Sequence, residues 1–235
     1  MRFPGFLSLL LVSLTLLSCT GQPAGGVLVI PLNPNSLHEG KNYAAWSVEW
    51  WKWALSQQVA THPLFDPTGQ NAAQGQTGDV WFIGASFGDP PQASRVITIP
   101  EGTSLFFPLI NFEEDSAFAP EMSVAEMQDE LAGFASQVTS LSLVIDGQAM
   151  SDLFLLRAKS PSAFSVQLPA SDSVYDYFGV EAGSSVSTVV SDGYWAFIDA
   201  LPPGQHTIQF GGTQVNGSEI TTASASYSIT VSTRN

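Results

Sequence analysis

The sequence predicts a mainly β protein: an antiparallel, jelly-roll-like β-sandwich with a tryptophan-rich helix packed on one sheet and a second short helix. Two observations predict the sheets. Short segments of alternating apolar and polar residues fill the second half of the chain, and turn dipeptides such as Asp146-Gly147 and Asn216-Gly217 separate them. A third observation predicts the helical cover, because four of the six tryptophans lie between Trp46 and Trp53.

The amino terminus has the pattern of a lipoprotein leader. An almost unbroken apolar run over residues 6–17 is too short to span a bilayer and ends in Leu16-Leu17-Ser18-Cys19, which resembles a bacterial lipobox. Cys19 is therefore the predicted lipidation site, and residues 1–18 are the predicted signal peptide. Thr20 stands where Asp would retain a lipoprotein at the inner membrane, so we expect an anchor in the outer membrane, facing the periplasm or the surface.

Composition and charge limit the classes of partner. Removing the leader takes away Arg2 and leaves 217 residues with six basic and 21 acidic side chains, a formal charge of −15 that argues against nucleic acid and anionic membrane surfaces. Cys19 is the only cysteine, so packing must hold the domain together without an internal disulfide. Residues 19–40 predict a flexible tether with a short edge strand at Val27–Ile30, and residues 41–235 predict a single domain.

The tryptophan-rich segment predicts a helix over residues 43–58 with Asn42 as its N-cap. Trp51 points away from the face that the other tryptophans share, which are Trp46, Trp50 and Trp53. A buried tryptophan removes about 150–250 Å² from water, which is roughly 4–6 kcal/mol as an upper bound. We therefore expect this face to pack in the core, with an exposed ring-stacking platform as the alternative.

The middle of the chain predicts buried strands and the second helix. Residues 80–83 and 104–110 are apolar at nearly every position, which is typical of strands buried on both faces, so we expect the tryptophan helix to cover one of those faces. Residues 111–115 predict an acidic loop. Residues 123–137 predict a helix whose capping box is completed by Glu126.

Period-two alternation marks the strands that follow. The alternating segments are residues 141–145, 164–168, 194–198, 206–210 and 223–231. Asp192-Gly193 is expected to form the turn before the third segment. In the last segment Ala223, Ala225, Tyr227, Ile229 and Val231 are predicted to face inward.

Several motifs, read together, resemble a family of secreted bacterial proteins for which no function is established. They are Tyr43-Ala-Ala-Trp-Ser-Val-Glu-Trp-Trp-Lys-Trp-Ala-Leu-Ser56, Asp66-Pro-Thr-Gly69, Gly75-Gln-Thr-Gly-Asp-Val-Trp-Phe-Ile83, Pro100-Glu-Gly-Thr-Ser-Leu-Phe-Phe-Pro-Leu-Ile-Asn111, Asp192-Gly-Tyr-Trp195 and Pro203-Gly-Gln-His-Thr-Ile208. The resemblance covers residues from about 40 to 215 and implies one secreted domain and no particular reaction. In such relatives cysteines often stand near the positions of Ala73 and Ile97, so a disulfide between the long loop and a strand is missing here.

A long polar loop over residues 62–79 is the first candidate for part of a binding site, because long loops without structure of their own are usually functional. The predicted binding residues are Asp66, Gln76, Asp79, Trp81 and Asn111. Trp81 or Trp195 could serve as a platform for a sugar, so a glycan is the ligand class that we consider first.

Other constellations are weaker. Paired carboxylates for glycoside hydrolysis would come from Glu49, Asp66 or Asp115, and the oxygen-rich set Asn111, Glu113 and Asp115 is the candidate for Ca²⁺. The segment Gly84-Ala-Ser86-Phe-Gly88 matches the nucleophile-elbow pattern, but Asp89-Pro90-Pro91 prevents the helix that an elbow requires. The three histidines have no zinc-binding spacing.

Together these features predict a lipid-anchored extracytoplasmic binding or envelope-structural protein, with a membrane anchor at Cys19 and a glycan as the ligand considered. No cofactor other than Ca²⁺ is indicated, and the sequence shows no clear catalytic machinery. The alternative is a secreted hydrolase of the glycosidase type that acts on polysaccharide through paired carboxylates.

Overall fold

The computed structural model describes residues 33–88 and 92–233 of the chain. The predicted signal peptide, the lipidation site Cys19 and the predicted strand at Val27–Ile30 lie outside these residues. Within the described ranges, no helix has the length and apolar character needed to cross a membrane.

Two five-stranded sheets form the framework. The first sheet has the order β1 (Val80–Phe82), β3 (Ser104–Asp115), β8 (Ser185–Ile198) and β6 (Arg157–Lys159), and β7 (Phe164–Gln167) also pairs with β8. The second sheet has the order β2 (Gln92–Pro100), β10 (Glu219–Ser232), β9 (Gly204–Asn216), β4 (Val138–Ile145) and β5 (Gln148–Ala149). The prediction of a mainly β, sandwich-like fold is confirmed.

The sheets are mixed, which corrects the prediction of purely antiparallel pairing. β1 pairs in parallel with β3, and β2 pairs in parallel with β10 over nine residues, from Gln92 opposite Ser224 to Pro100 opposite Ser232. The chain leaves the first sheet after β1, adds β2 to the second sheet and then returns as β3. Such a crossover brings β1 and β3 together in the same direction, whereas a tight hairpin joins antiparallel neighbours.

In the described part of the chain, three α-helices and two short 3₁₀ segments complete the domain. The helices are α1 (Tyr43–Leu55), α2 (Val124–Ser136) and α3 (Val174–Phe178), and the 3₁₀ segments are Val59–Thr61 and Leu153–Leu156. Asn42 caps α1 as predicted, since its side chain accepts a hydrogen bond from the Ala45 N–H. The predicted capping box of Ser123 and Glu126 opens α2.

The tryptophan-rich helix packs on the first sheet, as predicted. Trp50 lies edge-on to Trp195 of β8, with ring centroids 5.6 Å apart, and Phe106 of β3 stacks on the same ring at 5.3 Å. All four helix tryptophans are buried, including Trp51, which stacks against Phe87 with centroids 6.1 Å apart. The helix is therefore apolar around most of its circumference, which is typical of a helix inside the core.

The opposite face of the first sheet packs on the second sheet. Phe107 of β3 contacts Phe210 of β9 at 4.6 Å between ring centroids, and Phe210 stacks on Tyr227 of β10. β3 is thus covered on both faces, as its nearly continuous apolar sequence predicted. The inward alternation of β10 is also confirmed, because Ala225, Tyr227 and its other apolar positions up to Val231 are buried.

Two residues of the predicted flexible tether, Pro34 and His38, contact the domain; the Pro34 carbonyl accepts from the Tyr43 N–H (3.2 Å). The Trp46 indole N–H donates to the carbonyl of His38 (2.8 Å), and the His38 ring stacks on Phe197 with centroids 4.7 Å apart. A two-residue bridge between His38 and Lys41 closes this turn.

Two sequence predictions about polar segments are wrong. Residues 111–115 were expected to be an acidic loop, but they form the second half of β3 and pair with residues 189–193 of β8. Asp192-Gly193 was expected to form a turn, but it lies in the middle of β8, opposite Phe112 and Asn111. A register shift between Pro108 and Ile110 interrupts β3, because proline has no N–H to give to the ladder.

Candidate functional site

A pocket of about 390 Å³ lies where α1, β3 and α3 meet. This volume is in the range of small-molecule sites. Aromatic side chains form most of its wall, and two glutamates complete it. The aromatic residues are Trp51, Phe87, Phe118, Tyr175 and Phe178, the glutamates are Glu113 and Glu114, and Leu55 and Val174 fill the gaps.

Trp51 differs from the other tryptophans of α1 in its hydrogen bonding. The indole N–H groups of Trp46, Trp50 and Trp53 donate to the carbonyls of His38, Ile83 and Gln74. The Trp51 Nε1 atom is shielded from solvent and has no partner among the described residues. Since buried polar groups are rarely left unpaired, this donor at the pocket wall requires an explanation.

Glu113 supplies a second polar atom of the same kind. Its Oε1 atom is shielded from solvent and has no hydrogen-bond partner in the described part of the chain. Burial, a hydrogen bond to Asp115, and the negative charges of Asp115 and Glu114 raise the pKa of Glu113 well above its usual value. The charged form of this carboxyl group is therefore disfavoured in the folded protein.

Asp115 is held by hydrogen bonds that include two residues of the pocket wall, Tyr175 and Phe118. Its Oδ2 atom accepts a hydrogen bond from the Tyr175 hydroxyl (2.7 Å), and its Oδ1 atom accepts from the backbone N–H groups of Ala117 (2.5 Å) and Phe118 (3.1 Å). Burial, the charge of Glu113 and the hydrogen bond to Asp115 raise the pKa of Tyr175, so its hydroxyl stays protonated and donates. The bonds fix the position of Asp115 beside Glu113.

Local sequence explains how α3 presents Tyr175. Ser173 and Asp176 form a capping box, in which the Ser173 side chain accepts from the Asp176 N–H and the Asp176 side chain accepts from the Ser173 N–H. Gly179 ends the helix in the left-handed conformation, with φ of 73°. This single turn directs Tyr175 and Phe178 to the pocket wall.

The rim of the pocket exposes aromatic side chains. Phe118 and Phe178 are each about half exposed, and Tyr177 beside Phe178 is equally exposed. Tyr177 also contacts Phe65 at 4.8 Å between centroids. Exposed rings around a concave site are typical of a surface that meets a ligand.

The long loop over residues 62–79 is closely bonded to itself and to its neighbours. Asp66 Oδ1 accepts from the N–H and hydroxyl of Thr68, and Asp66 Oδ2 accepts from the Asn71 N–H. Burial acts to raise the pKa of Asp66, but these hydrogen bonds outweigh it and the pKa is lowered. The carboxylate thus organises the loop in which it was predicted to bind ligand.

Gln76, the second predicted binding residue of the loop, joins it to β1. Its side-chain amide donates to the carbonyls of Ala72 and Phe82 and accepts from the Phe82 N–H. These bonds use both the nitrogen and the oxygen of the Gln76 side-chain amide. Asp79 precedes β1 at an exposed position, and its backbone carbonyl accepts from the Ser104 N–H.

Trp81 and Asn111 lie on the first sheet, outside the pocket wall. Trp81 is buried in β1, and Asn111 of β3 lies opposite Gly193. Each carries a shielded nitrogen without a partner in the described residues, Trp81 Nε1 and Asn111 Nδ2. Of the predicted site residues, Glu113 lines the pocket, and Asp115 accepts a hydrogen bond from Tyr175 of its wall.

The three alternative catalytic carboxylates lie on separate elements. Glu49 of α1 forms an exposed ion pair with Lys41 (3.3 Å) and borders a different groove. Asp66 is bonded within the long loop, and Asp115 of β3 accepts from the Tyr175 hydroxyl. The glycosidase alternative needs two carboxyl groups facing each other across a cleft, and this set of residues gives it no support.

The remaining candidates have structural partners. The Ser86 hydroxyl donates to the carbonyls of Leu64 and Gly88, and His206 contacts Asp146 at 2.7 Å on the second sheet. Among the described residues, no group of three or more His, Cys, Asp or Glu side chains is placed to hold a metal ion. The calcium candidates Asn111, Glu113 and Asp115 lie along one strand rather than in a loop.

Sequence reasoning missed most of the pocket wall. No prediction covered α3, although Ser173 and Asp176 have capping-box spacing. The signal for Trp51 was present, because it was the one tryptophan directed away from the shared face. Phe87 and Phe118 lie in turns, where sequence gives no indication of their neighbours.

Comparisons with known proteins do not assign the chain. No protein-family model matches it, and no curated protein matches it. Among solved structures, the chain is similar to the solution structure of Amebosin, with 11% identity, coverage of 59% of this chain and 95% of that one, and a TM-score of 0.16. A likeness this slight carries no argument. The resemblance to secreted bacterial proteins stays a prediction.

Proposed function

We propose that the protein is a lipid-anchored binding protein of the bacterial envelope, held at Cys19, whose pocket between α1, β3 and α3 takes a small organic ligand. The observation that carries this proposal is that two residues of the pocket wall each have a shielded polar atom without a partner in the described residues, Trp51 Nε1 and Glu113 Oε1. A ligand that satisfies both atoms would remove an energetic cost that folding leaves in place.

The character of the wall supports binding over turnover. Asp115 is held by Tyr175 and two backbone N–H groups, so its oxygens are committed to the fold. Aromatic rings suit stacking on a sugar or on the apolar part of another small molecule. Simple sugars therefore belong among the compounds to be tested, together with small amines, acids and alcohols.

Binding is tested on the full chain, expressed with its own leader and extracted in detergent. We expect at least one compound of the panel to quench tryptophan fluorescence saturably and to raise the melting temperature. Trp51→Phe should weaken this binding, and Trp50→Phe, which alters a ring bonded to Ile83, is the matched control. Failure of every compound class in the panel would contradict the proposed pocket function. Incubation with polysaccharide should release no reducing sugar.

The anchor is tested separately. Palmitate labelling of growing cells should mark the wild-type protein and not the Cys19→Ala variant, and the wild type should sediment with outer-membrane fractions. An unlabelled wild type would contradict the lipid anchor and leave the pocket proposal to its own test.

A further inference from the structure

The pocket carries negative charge and no positive side chain. Glu113 and Glu114 both line it, and the other lining residues are uncharged. Asp115 comes next in β3, so three carboxyl groups follow each other in this strand. An anionic ligand would meet repulsion here, and the overall acidic charge of the chain attracts cations to its surface.

We infer that the ligand is a small organic ammonium compound, whose cationic nitrogen lies beside Glu113 and whose oxygen acceptor meets the indole N–H of Trp51. This inference depends on the proposed function, since it names the ligand class of the same pocket. The aromatic wall supports it, because the faces of Trp, Tyr and Phe rings attract organic cations.

The wall also separates an organic cation from a metal ion. Ca²⁺ takes six to eight oxygen ligands, and Mg²⁺ requires a nearly ideal octahedron of oxygens. Here the rings of Trp51, Phe87, Phe118 and Phe178 occupy most of the wall, and only the carboxyl groups of Glu113 and Glu114 supply acidic oxygens to it. A weakly hydrated ammonium group fits such a surface, and a strongly hydrated metal ion does not.

Binding of a cation beside Glu113 should be coupled to the release of protons. The titratable groups that face Glu113 are Asp115 and Glu114 on β3 and Tyr175 on α3, and Glu130 of α2 acts on Glu114. The side chains that α1 contributes are uncharged. Burial and the neighbouring carboxyl groups raise the pKa of Glu113. A cation beside Glu113 favours its charged form, so binding should release protons from this carboxyl group to the solvent and leave the carboxylate paired with the ammonium group. Affinity should therefore rise with pH.

The test compares choline with 3,3-dimethylbutan-1-ol, which has the same shape and hydroxyl group but no charge. Binding to the full-length chain is measured by tryptophan fluorescence and calorimetry. We expect choline to bind at least tenfold more tightly than the neutral alcohol. Calorimetry in buffers of different ionisation enthalpy should show proton release with choline and none with the alcohol.

Two variants complete the test. Glu113→Gln should reduce choline affinity at least tenfold and abolish proton release, while binding of the neutral alcohol is kept or improved. Asp129→Asn removes one negative charge from an exposed position of α2 and should leave both affinities within about twofold. Near-ultraviolet circular dichroism checks that each variant is folded.

The outcomes distinguish the two proposals. If the neutral alcohol, a sugar or a carboxylic acid binds as tightly as choline and responds to Trp51→Phe, the ammonium inference is overturned and the binding function stands. If choline and every other compound class fail to bind, the proposed function itself fails. Choline binding without proton release, or without dependence on Glu113, also contradicts the inference.

Discussion

Arg95 and Tyr227 donate to the same acceptor, the carbonyl oxygen of Gly84, each at 2.7 Å, and Arg95 Nη1 also donates to the Tyr227 hydroxyl. The rest of the guanidinium group donates to the carbonyls of Asp66 and Leu64. A single side chain of β2 therefore holds the segment after β1 and the start of the long loop against the second sheet. Arg95 is 2% exposed, and its four acceptors are neutral oxygens.

Replacing this guanidinium group should be costly. Arg95→Lys keeps the charge but cannot reach all four acceptors, so we expect a loss of about 3 kcal/mol or more in the free energy of unfolding. Tyr227→Phe removes one hydroxyl and should cost about 1–2 kcal/mol. Urea denaturation measures both, and hydrogen exchange should increase first around Leu64 and Gly84 in Arg95→Lys. Equal costs for the two variants would contradict the central role of Arg95.

The tryptophans of α1 offer a matched pair for stability. Trp50→Phe leaves the Ile83 carbonyl without its donor, whereas Trp51→Phe removes an N–H that has no partner in the described residues. Both variants lose similar ring area. We therefore expect Trp50→Phe to cost about 1–3 kcal/mol more than Trp51→Phe in thermal or urea unfolding. A larger cost for Trp51→Phe would indicate that its N–H is bonded in the folded protein.

The sequence predicted those helices and strands that are marked by residues close to one another in the chain. Asn42, Ser123 and Glu126 cap their helices as expected, and the period-two alternation of β10 determines which of its faces is buried. Parallel pairing of β1 with β3 could not be predicted, because it depends on which sheet the intervening strand joins.

Two polar segments of β3 and β8 were predicted wrongly for a specific reason. Asp192-Gly193 has turn composition, yet Asp192 is buried and forms a bidentate ion pair with Arg157. The Arg157 Nε and Nη2 atoms donate to its two carboxylate oxygens at 3.0 and 2.7 Å. Residues 111–115 read as a loop, yet Tyr175 satisfies the carboxylate of Asp115 from 60 residues away. Long-range partners of this kind also assemble the pocket, so its wall could not be predicted from local patterns.

Gly193 is required for close packing, and this can be tested. A Cβ atom at this position would lie 2.7 Å from both the Asn111 Cα atom and the Ile110 carbonyl oxygen, which belong to the neighbouring strand. Gly193→Ala should therefore destabilise the protein by about 1–3 kcal/mol or more. The control is Gly133→Ala in α2, where a Cβ atom meets nothing within 4 Å. That change should stabilise by about 0.5–1 kcal/mol. Similar melting temperatures for the two variants would contradict this account.

The buried carboxyl group of Glu113 should lower the stability of the ligand-free protein at neutral pH. Burial and the neighbouring carboxylates raise its folded-state pKa above the ordinary value of 4.5. Protonated Glu113 therefore contributes its full stabilisation below pH 4.5. The free energy of unfolding then falls as pH rises from 4.5 toward the folded-state pKa. Glu113→Gln removes that slope, so at pH 7 the variant should be more stable by roughly 1–3 kcal/mol. At pH 4 the two proteins should differ little. A variant that is less stable than the wild type at pH 7 would contradict this prediction, because it would mean that the folded protein stabilises the charged form of Glu113.

His62 should give a pH dependence of the opposite sign. The ring is fully buried, its Nε2–H donates to the Ala54 carbonyl (2.7 Å), and its Nδ1 accepts from the Leu64 N–H (2.9 Å). Burial, opposed by the bond to Ala54 and assisted by the charge of Arg95, lowers the pKa of His62 from 6.5 to about 4.

The folded protein thus binds this proton less readily than the unfolded chain does. The contribution of His62 to stability is complete above pH 6.5 and is lost as pH falls toward 4, with a total of roughly 3 kcal/mol. His62→Gln should be less stable than the wild type at pH 7.5, but the difference should shrink steadily between pH 6.5 and 4. Urea denaturation of both proteins at several pH values measures that difference. Groups that titrate alike in the wild type and the variant contribute equally to both and do not affect it. A ring-proton NMR signal of His62 that titrates near pH 6.5 in the folded protein would contradict the prediction, because a buried neutral imidazole keeps its shift until the pH approaches 4.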